Sequence, residues 1–166
     1  QIIEHELPHI LSVLNEINKN EIKIKLLFLF VNSKSETRLF SDCSYKEEIN
    51  QSGVEKYETK TLSVSNLVNV PVGSLVVSKI TSANEWDFYL NSSFSNQGTN
   101  IPSHYTVGYC DLDLNIVEPV FIYQLIFNLT FAYYNQTRSI KVPAPLHMAI
   151  RMNQFVKTYL IKAPHK

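Results

Sequence analysis

The chain has 166 residues, 45% of them hydrophobic, enough for one domain with a sizeable core and too few to make two the expectation. Lysine plus arginine equals aspartate plus glutamate at 15 each, so no global basic field advertises a nucleic-acid partner, and any such surface has to be local. Cys43 and Cys110 lie far apart without C-x-x-C spacing, which offers neither a disulfide framework nor a zinc site and fits a reducing compartment, cytoplasm or nucleus.

No apolar run reaches the ~18 residues that cross a bilayer, and no charged start with a small-residue cleavage site opens the chain, so no membrane partner is expected. The chain begins at Gln1 without a methionine and enters helical periodicity at once, which reads as a piece of something longer. Among the glycosylation triplets, those that begin at Asn91, Asn128 and Asn135, two of them in or beside apolar stretches, are taken as chance.

In chain order, Ile3, Leu7, Ile10, Leu14 and Ile17 step by four and three and predict an amphipathic helix over 1–19, ended by Asn18 and Asn20. The alternation from Ile22 then passes into the run LLFLFV, the pattern of a strand buried on both faces and expected at the centre of a sheet. A polar turn at residues 32–36 leads to a short strand, TRLF, and from about 41 to 64 the periodicity gives way to serine, lysine, glutamate and asparagine, a solvated insertion.

Strand signals return in LSVSNLVNV, turn at Pro71, Val72 and Gly73, and resume in SLVVSKI, DFYLNSS and HYTVGYC, which together predict a mixed sheet. Asp113 or Asn115 is placed to cap a helix over PVFIYQLIFNLTFAYY, apolar on most of its circumference and so expected to be buried. Pro143 and Pro145 introduce a last helix with Met148, Met152, Phe155 and Tyr159 as its apolar stripe. The fold class that follows is α/β, a sheet flanked by helices.

Three segments carry a family resemblance. WDFYLNSSFSNQGTNIPSHYTV resembles the PIWI signature in which an FYL strand runs through a QGT turn to a P-x-HY strand. YQLIFNLTFAYYNQTRSIKVPAPLHMA looks like that family's YQL helix and its T-R-S element ending in PAP. QIIEHEL, with the strand and TRLF after it, is similar to the Q-x-x-x-HEL helix and the following strand. Order and spacing agree over residues 1–40 and about 76–160. The resemblance implies an RNase H-like PIWI fold, with residues 1–166 as the C-terminal part of a PIWI domain from an Argonaute/Piwi protein.

By position in this resemblance, Lys34, Gln97, Tyr133, Asn135, Lys141, His147 and Lys157 match or neighbour places where relatives touch guide RNA. Such a cradle asks for cations, hydroxyls and amides along a row of phosphates, independent of base sequence. Several positions depart from the pattern. Asn135 and Ile101 stand where some relatives carry arginine, as does Phe155, and His147 stands where many carry tyrosine. Gly98 suits a turn that demands positive φ. Arg138 is expected to order its turn by bonding backbone carbonyls or a carboxylate.

RNase H-like cleavage holds two divalent metals on carboxylates and a histidine or aspartate. The resemblance places three of those ligands upstream of this segment and the fourth in the helix after PAP, at Ile150. Isoleucine cannot bind a metal, and His147, one helical turn earlier, is displaced by ~5 Å along the axis, leaving it a weak substitute.

The function implied is guide small-RNA binding in RNA silencing without slicer activity. Partners would be the guide, a complementary target RNA, and the MID domain and N-terminal half of the PIWI domain of the same protein. Mg2+ is expected only where the full-length protein is catalytic. Two alternatives stay open: an active guide-directed endonuclease with upstream acids, and a module that binds tryptophan-containing peptides near Ile17 and Glu21.

Overall fold

The four-three spacing of the first apolar residues forms helix α1 (Ile2–Asn18) in the computed structural model, which describes residues 2–18, 23–42, 67–95, 97–113 and 118–161. Leu7 is the side chain this helix buries among those described. Asn18 ends it as expected, its amide oxygen accepting the Ile24 N–H at 2.8 Å and its amide nitrogen donating to the Ile24 carbonyl at 3.3 Å. The clasp turns the chain toward the sheet. Asn20, Glu21, the Asn115 cap and the insertion from residue 43 to 64 lie outside the described residues.

Six strands follow: β1 (Leu27–Asn32), β2 (Phe40–Asp42), β3 (Leu67–Asn69), β4 (Ser74–Val76), β5 (Asp87–Asn91) and β6 (Ser103–Cys110). Four make one sheet in the order β1-β6-β5-β4, and β2 pairs with β3 in a small second sheet. Every pairing among the described residues is antiparallel. The run LLFLFV was expected at the centre of the sheet, yet β1 is an edge among the described strands, its residues half-buried up to Val31. The physical reason is that an apolar run reports covered faces, whereas centrality depends on paired edges, and the two are independent.

Two glycines shape the sheet. Gly73 turns β3 into β4 at φ 94°, with its N–H on the Asn91 carbonyl at 2.8 Å. Gly108 sits where the β1–β6 register slips between Phe28 and Leu29, and a Cβ there would meet the Phe30 ring at 2.7 Å. A bulge residue without a side chain lets Phe28 and Phe30 close edge to face, centroids 5.3 Å apart.

The core forms where β5 and β6 meet helix α2 (Pro119–Leu129), from Phe88, Leu90, Tyr105, Ile122 and Ile126. Phe88 stacks on Tyr105 at 5.0 Å and meets Tyr123 edge-on at 4.7 Å, while the Trp86 indole N–H donates to the Tyr123 hydroxyl. Burial raises the Tyr105 phenol pKa, and its hydroxyl finds no hydrogen-bond partner among the described residues.

Four expectations about the helices are corrected. Helix α2 stops at Leu129, where the Thr130 hydroxyl turns back onto the Phe127 carbonyl at 2.6 Å, and is not continued through Tyr134. It buries one stripe, Ile122 and Ile126, and leaves Val120, Phe121 and Leu125 exposed, because the described residues cover it from one side only. Its N-terminus is set by Pro119 behind Glu118, with no side-chain cap. Helix α3 (Ala144–Phe155), continued by a π-helical turn over Val156–Leu160, turns Met148, Met152, Phe155 and Tyr159 outward. Its inner side is set instead by Ala144, clustered with Tyr133 and Ile140, and by His147 against Tyr133.

Candidate nucleic-acid interface

A chain of hydrogen bonds gathers segments distant in sequence around the start of β6. The Ser35 hydroxyl, buried, donates to the Pro102 carbonyl at 2.7 Å and pins the turn after β1. Next to Pro102, the Ser103 hydroxyl donates to the Lys141 carbonyl at 2.9 Å, and the Ser92 hydroxyl donates to the same carbonyl at 2.7 Å. Lys141 is thereby fixed as a half-buried residue on a bend ahead of the PAP element.

The turn at residues 33–38 contributes two cations. Lys34 is exposed, its N–H donating to the Asn32 amide oxygen at 3.0 Å. Arg38 spends one guanidinium nitrogen on the Ser35 and Thr37 carbonyls, at 3.1 and 3.0 Å. Its charge reaches Lys141: burial first, and then the Arg38 cation, lowers the Lys141 ammonium pKa. A phosphate beside Lys141 would relieve both causes, offsetting its burial and the Arg38 charge. Arg38 was missed in the sequence, where TRLF read as a strand; the available signal was an arginine two residues beyond the polar turn at 32–36.

Tyr133 and His147 are also brought together. The His147 ring stands edge-on to Tyr133 with centroids 4.7 Å apart, and its N–H opens helix α3 by donating to the Pro143 carbonyl at 3.0 Å. Tyr133 is 8% exposed and packs with Ile140 and Ala144, one and three residues from Lys141. Its ring therefore supports the loop that carries Lys141. Asn135 is exposed on the same loop, and Lys157 is exposed on the π-helical turn, where no described contact joins it to the others.

Gln97 is exposed in the QGT turn, with the Ser95 hydroxyl donating to its carbonyl at 2.5 Å. Gly98 has φ 77° as the turn required, and an added Cβ would meet nothing within 4 Å, so its conformation and not its space calls for glycine. Asn69 straps this turn to β3, donating to the Gly98 carbonyl at 2.8 Å and accepting the Asn100 N–H at 2.9 Å.

Arg138 does not order its turn. The turn is held by backbone bonds, Ile140 N–H to the Thr130 carbonyl at 2.9 Å and Gln136 N–H to the Tyr133 carbonyl at 3.3 Å. Arg138 is exposed and has no hydrogen bond or ion pair among the described residues. The backbone already satisfies the groups that the guanidinium was expected to serve.

Ile150 lies on helix α3, 41% exposed, one turn beyond the half-buried His147. Among the described residues no group of three His, Cys, Asp or Glu side chains is placed to hold a metal. Asp111 instead faces Lys25 at 3.8 Å in an exposed pair. No described helix is long and apolar enough to cross a membrane.

A sheet with helices against it, and with its QGT turn, PAP element and cations gathered at β6, defines an RNase H-like fold of the PIWI type. The chain belongs to the Piwi domain family, whose model matches residues 1–160. It is 31% identical over 149 residues to protein argonaute 5 of Arabidopsis thaliana, an alignment covering 90% of this chain and 13% of that protein. Among solved structures it resembles Drosophila Piwi with a TM-score of 0.70 at 23% identity, over 99% of this chain and 20% of the other. Kluyveromyces polysporus Argonaute with a guide RNA is similar at a TM-score of 0.62 and 23% identity, over 88% of this chain and 17% of that one. The chain thus spans a small fraction of the relatives it matches.

Proposed function

We propose that this chain forms part of the seat for a small guide RNA in an Argonaute/Piwi protein, gripping the RNA by its phosphates and without cleaving a complementary target. The observation that carries this reading is the half-buried Lys141, its carbonyl held by the Ser92 and Ser103 hydroxyls beside the Pro102 carbonyl that Ser35 bonds, with the Arg38 charge felt at its ammonium, on a Piwi domain. Lys34 and Asn135 extend the polar surface on the flanking loops, and His147 adds a ring nitrogen beside Tyr133. That a solved relative of the same fold carries a guide RNA supports the choice of ligand. The remaining partners in this reading are a complementary target RNA and the MID domain and upstream half of the PIWI domain.

Cleavage by this fold needs metal ligands. Ile150 offers a hydrocarbon at the position where the family resemblance expects the last one, and the residues present do not fit a divalent ion there.

The test is equilibrium binding of a labelled small RNA to the full-length protein across a salt series. Log affinity should fall linearly with log salt, with a slope of roughly −0.7 to −0.9 for each phosphate neutralised. Binding indifferent to salt rules the reading out. In parallel, the guide-loaded protein with a matched target and Mg2+ should yield no product, and a metal-dependent cut would restore the endonuclease alternative.

A further inference from the structure

A cavity of about 340 Å³ opens between the loop after β5 and the loop joining α2 to α3. Phe94 and Phe131 give it apolar walls; Gln136, Arg138 and Ser139 give it polar ones. Phe131 is held in place, its ring edge-on to Phe127 with centroids 5.2 Å apart at 89°. Phe94 is 63% exposed, an aromatic face left in water. Arg138 has no hydrogen bond or ion pair among the described residues.

This lining suits a flat heterocycle that carries an anion. Aromatic walls take the faces of a base, which stack on any ring whatever the sequence. An amide and a hydroxyl can meet its polar edge, and a guanidinium can stack on the base or pair with the attached phosphate. The volume is near the roughly 300 Å³ at which small-ligand sites begin, adequate for one nucleoside. An apolar peptide side chain would fill the same walls but leave Arg138 without an anion.

Placement identifies the source of the base. Ser92, whose hydroxyl bonds the Lys141 carbonyl, is two residues before Phe94, and Ser139 is two residues before Lys141. The cavity and Lys141 therefore share the same two loops, and a strand gripped by Lys141 passes beside the cavity mouth.

We propose that the cavity receives one nucleobase turned out of the bound RNA strand, stacked against Phe94 and Phe131 with Arg138 on its sugar-phosphate. The proposal rests on the RNA-binding reading above and adds to it a position at which a base, and not only a phosphate, is held.

The experiment replaces one base at a time in the small RNA by an abasic residue and measures Kd for the full-length protein. One position should weaken binding roughly tenfold, the scale of one base–aromatic stack. Phe94→Ala should weaken the intact RNA by the same factor and erase the penalty at that position alone. Arg138→Gln, whose side chain bonds nothing described and so should not disturb folding, should weaken intact RNA and lower the salt slope by about 1. If RNA binds normally and Phe94→Ala leaves the abasic profile unchanged at every position, the cavity takes no base and the proposal fails. If a tryptophan-containing peptide binds and is lost in Phe94→Ala while RNA binding is untouched, the site is a peptide seat and the proposal also fails. Loss of RNA binding in the unaltered protein would instead remove the function itself.

Discussion

The imidazole Nε2 of His104 lies 2.7 Å from Oδ2 of Asp87, whose side chain is 2% exposed, so that adjacent strands β5 and β6 are joined by a side-chain bond as well as by their backbone ladder. The other carboxylate oxygen accepts the Ser82 N–H at 2.9 Å, and the His104 ring is stacked on Tyr89 at 4.3 Å. A carboxylate only accepts, which makes the imidazole the donor. Removing either partner strands a buried polar group. Asp87→Ala and His104→Ala are each expected to cost about 2–4 kcal/mol in denaturant unfolding, with His104→Gln recovering part of it. Equal midpoints for wild type and both alanine variants would show that the pair contributes nothing.

Gly108→Ala is expected to destabilise by about 1–3 kcal/mol, because its methyl enters at 2.7 Å from the Phe30 ring, and Phe30 is braced by Phe28. Gly98→Ala meets open space and should cost only its backbone strain at φ 77°, about 1–2 kcal/mol. The double variant Gly108→Ala with Phe30→Leu separates the two causes: relief of the first cost identifies a clash, and no relief refutes it.

Lys141→Gln and Arg38→Gln should each lower affinity for RNA of any sequence and reduce the salt slope by about 1. They should differ in one respect. Arg38 also donates to the Ser35 and Thr37 carbonyls, so Arg38→Lys keeps the charge but loosens the turn and should recover less affinity than Lys141→Arg. A slope unchanged in both glutamine variants would place the phosphates elsewhere.

The lowered pKa of Lys141 gives RNA binding a pH dependence with a definite sign. Burial and Arg38 disfavour the ammonium in the free protein, whereas a phosphate favours it, so binding takes up a proton once the free group has begun to lose its own. Affinity should therefore fall as pH rises through the lowered pKa, earlier than an ordinary lysine allows, and Lys141→Arg should flatten the profile. For folding the sign is opposite: the lowered pKa is a penalty present below it, relieved as pH rises toward the unfolded value of 10.5. Titration of affinity and of unfolding midpoint on the same samples reads both.

Much of the local structure was legible in the residues. The spacing of Leu7, Ile10 and Leu14 made α1, Asn18 ended it, and Gly73 and Gly98 took the positive φ their turns required. These follow from short-range sterics and period, which neighbouring residues settle among themselves. The direction in which a helix faces is another matter. The stripe of Met148, Met152, Phe155 and Tyr159 marks an apolar side correctly but cannot say what lies against it, and in this chain α3 is anchored instead through Ala144 and His147.

For the site the division is the same. The motifs around Gln97, Lys141 and His147 place this chain in the Piwi family, because those loops keep their turn and proline chemistry locally. Only the tertiary structure let the Arg38 charge act on Lys141, left Arg138 without a bond to its turn, and put Phe94 and Phe131 on the wall of one cavity. Each depends on contacts between residues far apart in the chain, fixed by where Ser35, Ser92 and Ser103 find carbonyls to bond. A hydroxyl in a sequence does not name its acceptor; the packed sheet does.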